Sequence, residues 1–74
     1  MTQKVFEIVA RMMGVPADAV NIQSSPETLA NWDSLRHIKL LLAVEESFGI
    51  RFSDDDLVSI KNVRDLLARI EARK

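Results

Sequence analysis

The sequence predicts an all-α fold, a small four-helix bundle with three main helices and one short one, on three observations. Apolar residues recur at helical spacing in three separate stretches, and these stretches begin or end on residues suited to helix termini. No alternating pattern is long enough to pair as a strand: Ile50-Arg51-Phe52 alternates but is short and has no partner run. Helices that each bury one face satisfy such a pattern by packing around a shared core.

Each element has its own signal. Val5, Phe6, Ile8, Val9, Met12 and Met13 share a helical face, which predicts a first helix over residues 2–13 stopped by Gly14. "VPADAV", residues 15–20, reads as a short turn pinned to the core by Val15 and Val20. Residues 21–32 carry Asn, Ser and Pro without periodicity, predicting a long connection anchored by Ile22 and Leu29. A second helix starts at Asp33 or Ser34 and runs to about Phe48, with Gly49 at its stop. Ser53 followed by Asp56 is a capping-box start for a short third helix, so the triplet Asp54-Asp55-Asp56 reads as helix-start chemistry. A calcium loop would need more ligands and a glycine turn, and no metal site is expected. Asn62 with Asp65 repeats the device, and Val63, Leu66, Leu67 and Ile70 mark a fourth helix that ends in basic residues.

Composition narrows the function classes. A chain of 74 residues has room for one domain, residues 1–74, and little for a deep active-site cleft. It holds no cysteine and a single histidine, so no disulfide framework, thiolate metal site or multi-histidine centre can form. Ten basic against eleven acidic side chains leave a net charge of −1 and no sequence-wide attraction to nucleic acid or an anionic membrane. The longest unbroken apolar run, Leu40 to Val44, is far too short to span a bilayer, and no signal pattern opens the chain. A cytoplasmic protein is the expectation.

Projected on a helical wheel, the second helix has a wide charge-free arc holding Leu40, Leu41, Val44 and Phe48, with His37 among them as a half-buried packing residue without an evident partner. Leu35, Ile38 and Leu42 fall instead among Arg36, Lys39, Glu45 and Glu46. Apolar residues rimmed by charge suit a transient protein interface, unless the third helix or the long loop covers them. On physics alone, Ser34 after Asp33 is a helix N-terminus at which either side chain can accept a free backbone N–H. As a nucleophile Ser34 would need a base and an oxyanion pocket that this chain does not offer, so no catalytic residue is assigned.

The whole pattern nevertheless resembles the acyl carrier proteins. The residues that carry the likeness are "DSL" at 33–35, "LLLAVEESFGI" at 40–50, "SDDDL" at 53–57 and "VRDLLARI" at 63–70, spread over nearly the full length. In that family a long loop leads to an Asp-Ser-Leu motif opening the second helix, an apolar stretch ends in Glu-Glu-x-Phe-Gly, and a short acidic helix and a closing helix follow. The resemblance implies that Ser34 receives 4'-phosphopantetheine from coenzyme A through a phosphopantetheinyl transferase. It implies that Asp33 caps the helix and helps the transferase read the site. It further implies a monomeric carrier, not an enzyme, that presents acyl thioesters to ligase, synthase or acyltransferase partners. The working thiol arrives with the cofactor, which accounts for a carrier without cysteine.

Two departures from the common family pattern bear on partners. Arg36, His37 and Lys39 stand in the first part of the second helix, where fatty-acid-synthesis carriers are usually acidic. Asn31 and Trp32 stand before Asp33 where glycine and a small residue are usual; Asn tolerates a positive φ there, and Trp32 either packs the loop or contacts the arm or a partner. Both suggest a specialised pathway, with Trp32, Leu35, Arg36, Ile38, Lys39, Leu42, Glu45 and Glu46 as the partner surface. The alternatives are an unmodified helical adaptor that binds proteins through the second helix and, on Arg36, His37 and Lys39, a small regulator of nucleic acid. The latter conflicts with Glu45, Glu46 and the near-neutral chain.

Overall fold

In the computed structural model, which describes residues 1–73, helix α1 spans Thr2–Met13, α2 Ser34–Phe48, α3 Asp54–Ser59 and α4 Val63–Arg73, with one 3-10 turn at Ala17–Ala19. The predicted bounds hold because local chemistry sets them. Gly14 takes φ 70°, and its N–H and that of Val15 both donate to the Ala10 carbonyl, closing α1. Gly49, at φ 66°, closes α2 on the Glu45 carbonyl in the same way. Ser53 and Asp56 form the reciprocal capping box at the start of α3.

The buried apolar residues form one cluster to which α1, α2 and α4 contribute, with Val5, Val9 and Met13 of α1, Leu40, Leu41 and Val44 of α2, and Val63, Leu66 and Ile70 of α4 fully enclosed, and α3 adds only the partly buried Leu57 packed against it. Phe48 packs against that cluster from a half-buried position, and the Lys4 ammonium lies 5.2 Å from its ring centroid. The Cα radius of gyration is 10.9 Å, against the value of about 11 Å for a compact chain of this length.

Several sequence expectations are corrected by long-range contacts. Of the two loop anchors, Leu29 is buried but Ile22 is exposed, and what Ile22 contributes is its carbonyl, which accepts from the Arg64 N–H. Ser24 does the same for the Val63 N–H, so the loop caps the start of α4 with backbone oxygens. The loop itself is a chain of tight turns: Asn21 Oδ1 accepts from the Gln23 N–H, and Ser25 Oγ from the Glu27 N–H. These turns bury Ser24 and Ser25, which read as plain loop residues in the sequence. Asn31 does not use a positive φ, which among the described residues only Gly14 and Gly49 adopt; its side-chain amide donates to the Met13 carbonyl, 2.8 Å away. Asn62 caps α4 through the Asp65 N–H, but the Asp65 carboxylate reaches the Lys61 N–H rather than that of Asn62.

The arginines at the end of α4 have a more specific task than complementing its dipole. Arg69 and Arg73 converge on Asp56, at 2.5 and 2.6 Å, and enclose it completely. The Asp56 carboxyl is held far below the usual carboxylate range, chiefly by the Ser53 N–H it accepts, with Arg73 and Arg69 assisting against the opposing effect of burial. α3, only six residues long, is thereby fastened to α4.

Candidate functional site

The structure resolves which side chain starts α2. Asp33 is the cap: its backbone is extended and its Oδ1 accepts from the Arg36 N–H at 2.8 Å. Ser34 is therefore the first helical residue, exposed, with its hydroxyl outside the capping bond. The first N–H groups of the helix, which have no intrahelical acceptors, lie at the same end and favour an anion there.

Beside Ser34 runs an open groove of about 920 Å³ between the long loop, α2 and α3. Its walls are largely apolar, with Trp32, Ile38, Leu57, Val58 and Ile60 among them, and Glu27, Asp33 and Lys61 supply charge. Leu35, Ile38 and Leu42 stand on the outer face of α2 at 61, 47 and 58 % exposure, covered by neither loop nor α3, and Val58 of α3 is more open still at 72 %. Val58 lies in a six-residue helix, too short for apolar periodicity to mark it in the sequence.

The charged residues around these apolar groups divide into two kinds. Arg36 reaches back to the Met12 carbonyl at 2.8 Å, where its charge suits the C-terminal end of α1. Glu45 is half-buried and accepts from the Phe52 N–H at 2.6 Å, fixing the connection into α3. Both side chains thus hold the bundle together as well as bordering the face. Lys39 and Glu46 are exposed.

Trp32 is only 3 % exposed and belongs to the core cluster, so in this structure its ring packs the loop. It is also the partner that His37 lacked in the sequence: the Trp32 indole N–H donates to His37 Nδ1 at 3.0 Å, and His37 Nε2 lies 2.9 Å from the Leu57 carbonyl. The two rings are 26° from parallel with centroids 6.1 Å apart. A hydrogen-bonded chain therefore runs from the residue before Asp33, through α2, to the backbone of α3.

Among the described residues no helix is long and apolar enough to cross a membrane. An arm carried on a serine ester needs an accessible hydroxyl, room beside it and tolerance for a phosphate charge. Ser34 meets the first, the groove the second and the helix start the third. Comparison with known proteins identifies the family. Residues 3–70 match the family model described as the phosphopantetheine attachment site. The acyl carrier protein of Solidesulfovibrio magneticus is 36 % identical over 74 residues, covering 100 % of this chain and 95 % of that protein. Those of Helicobacter hepaticus and Nitratidesulfovibrio vulgaris are 36 and 35 % identical over 72 residues, each covering 97 % of this chain and 95 % of its own length. A four-helix bundle of this design, matched along nearly its whole length, belongs to the acyl carrier protein family, whose members bear phosphopantetheine and carry intermediates for biosynthetic enzymes rather than catalyse.

Proposed function

We propose that the chain is a cytoplasmic carrier whose single domain occupies residues 1–74, monomeric, modified on Ser34, and serving a specialised biosynthetic pathway rather than general fatty-acid synthesis. The observation that carries this reading is the exposed Ser34 hydroxyl at the first position of α2, with capping already performed by Asp33. When attached, phosphopantetheine supplies a mobile arm whose terminal thiol holds acyl groups as thioesters. The chain's own residues do the rest. Asp33 fixes the helix start so that Ser34 projects toward an approaching transferase, and the helix N-terminus favours the phosphate charge.

Delivery to several enzymes requires docking weak enough to reverse, through a small patch of apolar anchors with a charged border. Leu35, Ile38, Leu42 and Val58 fit the anchors, and Lys39, Glu46 and the outward parts of Arg36 and Glu45 fit the border. Because Arg36 and Lys39 are cationic, the favoured partners carry acid where fatty-acid enzymes usually carry base. Those partners are the transferase and then an acyl-activating ligase, synthase or acyltransferase. The near-neutral charge counts against nucleic acid.

Intact mass after incubation with coenzyme A and a broad-specificity phosphopantetheinyl transferase tests the reading. A gain of one phosphopantetheine that disappears in Ser34→Ala is the expected result. An unchanged wild-type mass, with the transferase active on a control carrier, favours instead an adaptor that binds through the face of α2.

A further inference from the structure

The chain Trp32–His37–Leu57 has a logic of protonation that the carrier reading does not use. An indole nitrogen can only donate and a backbone carbonyl can only accept. His37 therefore satisfies both partners in one state alone: neutral, with Nδ1 bare toward Trp32 and the proton on Nε2 directed to Leu57. An imidazolium carries N–H on both nitrogens, so protonation would set the Nδ1 proton against the indole N–H. The bond to Leu57 survives that change, and the bond to Trp32 does not.

The place of this bridge gives it consequence. Trp32 is two residues before Ser34, His37 is in the first turn of α2, and Leu57 is on α3, and all three line the groove together with Ser34. We infer that neutral His37 is a positioning residue for the Ser34 site: it ties the loop before Ser34 to α3, and its protonation releases the loop. The functional half of this rests on Ser34 being the attachment point, whereas the bridge itself does not. The other charged groups lining the groove are Glu27 and Asp33 from the loop and Lys61 from the α3–α4 connection. The Asp33 carboxylate is already engaged with the Arg36 N–H. On α3, Asp54 and Asp55 are exposed outside the groove and Asp56 is held by Arg69 and Arg73. On α2, Arg36 is tied to the Met12 carbonyl and Lys39 is exposed. No charged residue of α1 or α4 lines the groove.

The test uses the unmodified full chain, in which Trp32 is the sole tryptophan. Its indole N–H resonance and its fluorescence are followed as the pH is lowered from about pH 8 to the onset of acid unfolding. The expected result is one transition in both signals, with the His37 ring nitrogens showing the Nε2–H tautomer above it. His37→Gln, whose amide can still accept and donate, removes the transition while keeping the indole resonance near its high-pH place. His37→Phe shifts that resonance at every pH and slows modification of Ser34 by roughly five- to tenfold, as expected when two modest hydrogen bonds are lost; His37→Gln stays within about twofold. A pH-independent indole signal in the wild type, or a transition that persists in His37→Gln and vanishes in Glu27→Gln or Lys61→Gln, overturns the bridge. Should His37→Phe fail to fold, the wild-type titration and His37→Gln still decide. An unaltered modification rate in a folded His37→Phe overturns the positioning role. A wild type that is never modified removes the carrier reading and the positioning role together, and the indole titration still rules on the bridge.

Discussion

Asp33 and Ser34 divide between them what one residue does at most helix starts. The capping bond belongs to Asp33, and Ser34 stands exposed outside it, as the proposed modification requires. Replacing Asp33 by Ala should lower stability by about 0.5–2 kcal/mol, measured by urea unfolding. Asp33→Asn should restore most of that loss, because the amide oxygen caps as well, and any remaining defect in modification would then report the charge that the transferase reads. Asn31 and Trp32 show what a sequence motif leaves out. Their unusual types were visible in the sequence, but their partners, the Met13 carbonyl and the His37 ring, come from other parts of the chain and have no fixed spacing to betray them. His37, read from its helix face as a packing residue, proves to be a hydrogen-bonded link for the same reason.

At the scale of the element, the bounds of α1 and α2 and the start of α3 were legible because glycine at a positive φ and a capping box act within a few residues. What joins the elements was not. Asp56 looked like one acid of three at a helix start, yet it alone is fully enclosed, by arginines 13 and 17 positions further on. Asp56→Asn should cost about 1–3 kcal/mol, less than a deeply buried pair because both arginines are partly exposed. The pH dependence has a definite sign. Folding depresses this carboxyl, so its contribution is complete above the unfolded value of about 3.9 and fades as pH falls through the folded one. The wild type should therefore lose stability between about pH 5 and pH 2, and Asp56→Asn should flatten that acid limb in urea titrations. α2 offers a contrast between its two faces. Leu40→Ala, in the closed core, should cost about 2–5 kcal/mol, whereas Leu42→Ala, on the open face, should stay within about 0.5 kcal/mol. If docking uses that face, Leu42→Ala nonetheless weakens turnover with a partner enzyme.

For the molecule as a whole, one apolar cluster holds every helix, and the loop, Asn31, Arg36, Glu45 and Lys4 stitch the helix ends together around it. The bundle is open along the seam where α2, α3 and the loop meet, which is where Ser34, the groove, Ile38 and Val58 gather, with Leu35 and Leu42 exposed on α2. That asymmetry fits a protein whose chemistry is borrowed and whose partners change. Reversing the charges of Arg36 and Lys39 should slow transfer with the native partner most at low ionic strength and converge toward wild type as salt rises; a salt-independent defect would place the fault in the Arg36 tie to α1 instead. The most direct measurement is fragmentation mass spectrometry of the chain after treatment with coenzyme A and transferase. The added mass should reside wholly on Ser34. Finding it on Ser24, Ser25 or any other hydroxyl, or finding none, would contradict the account.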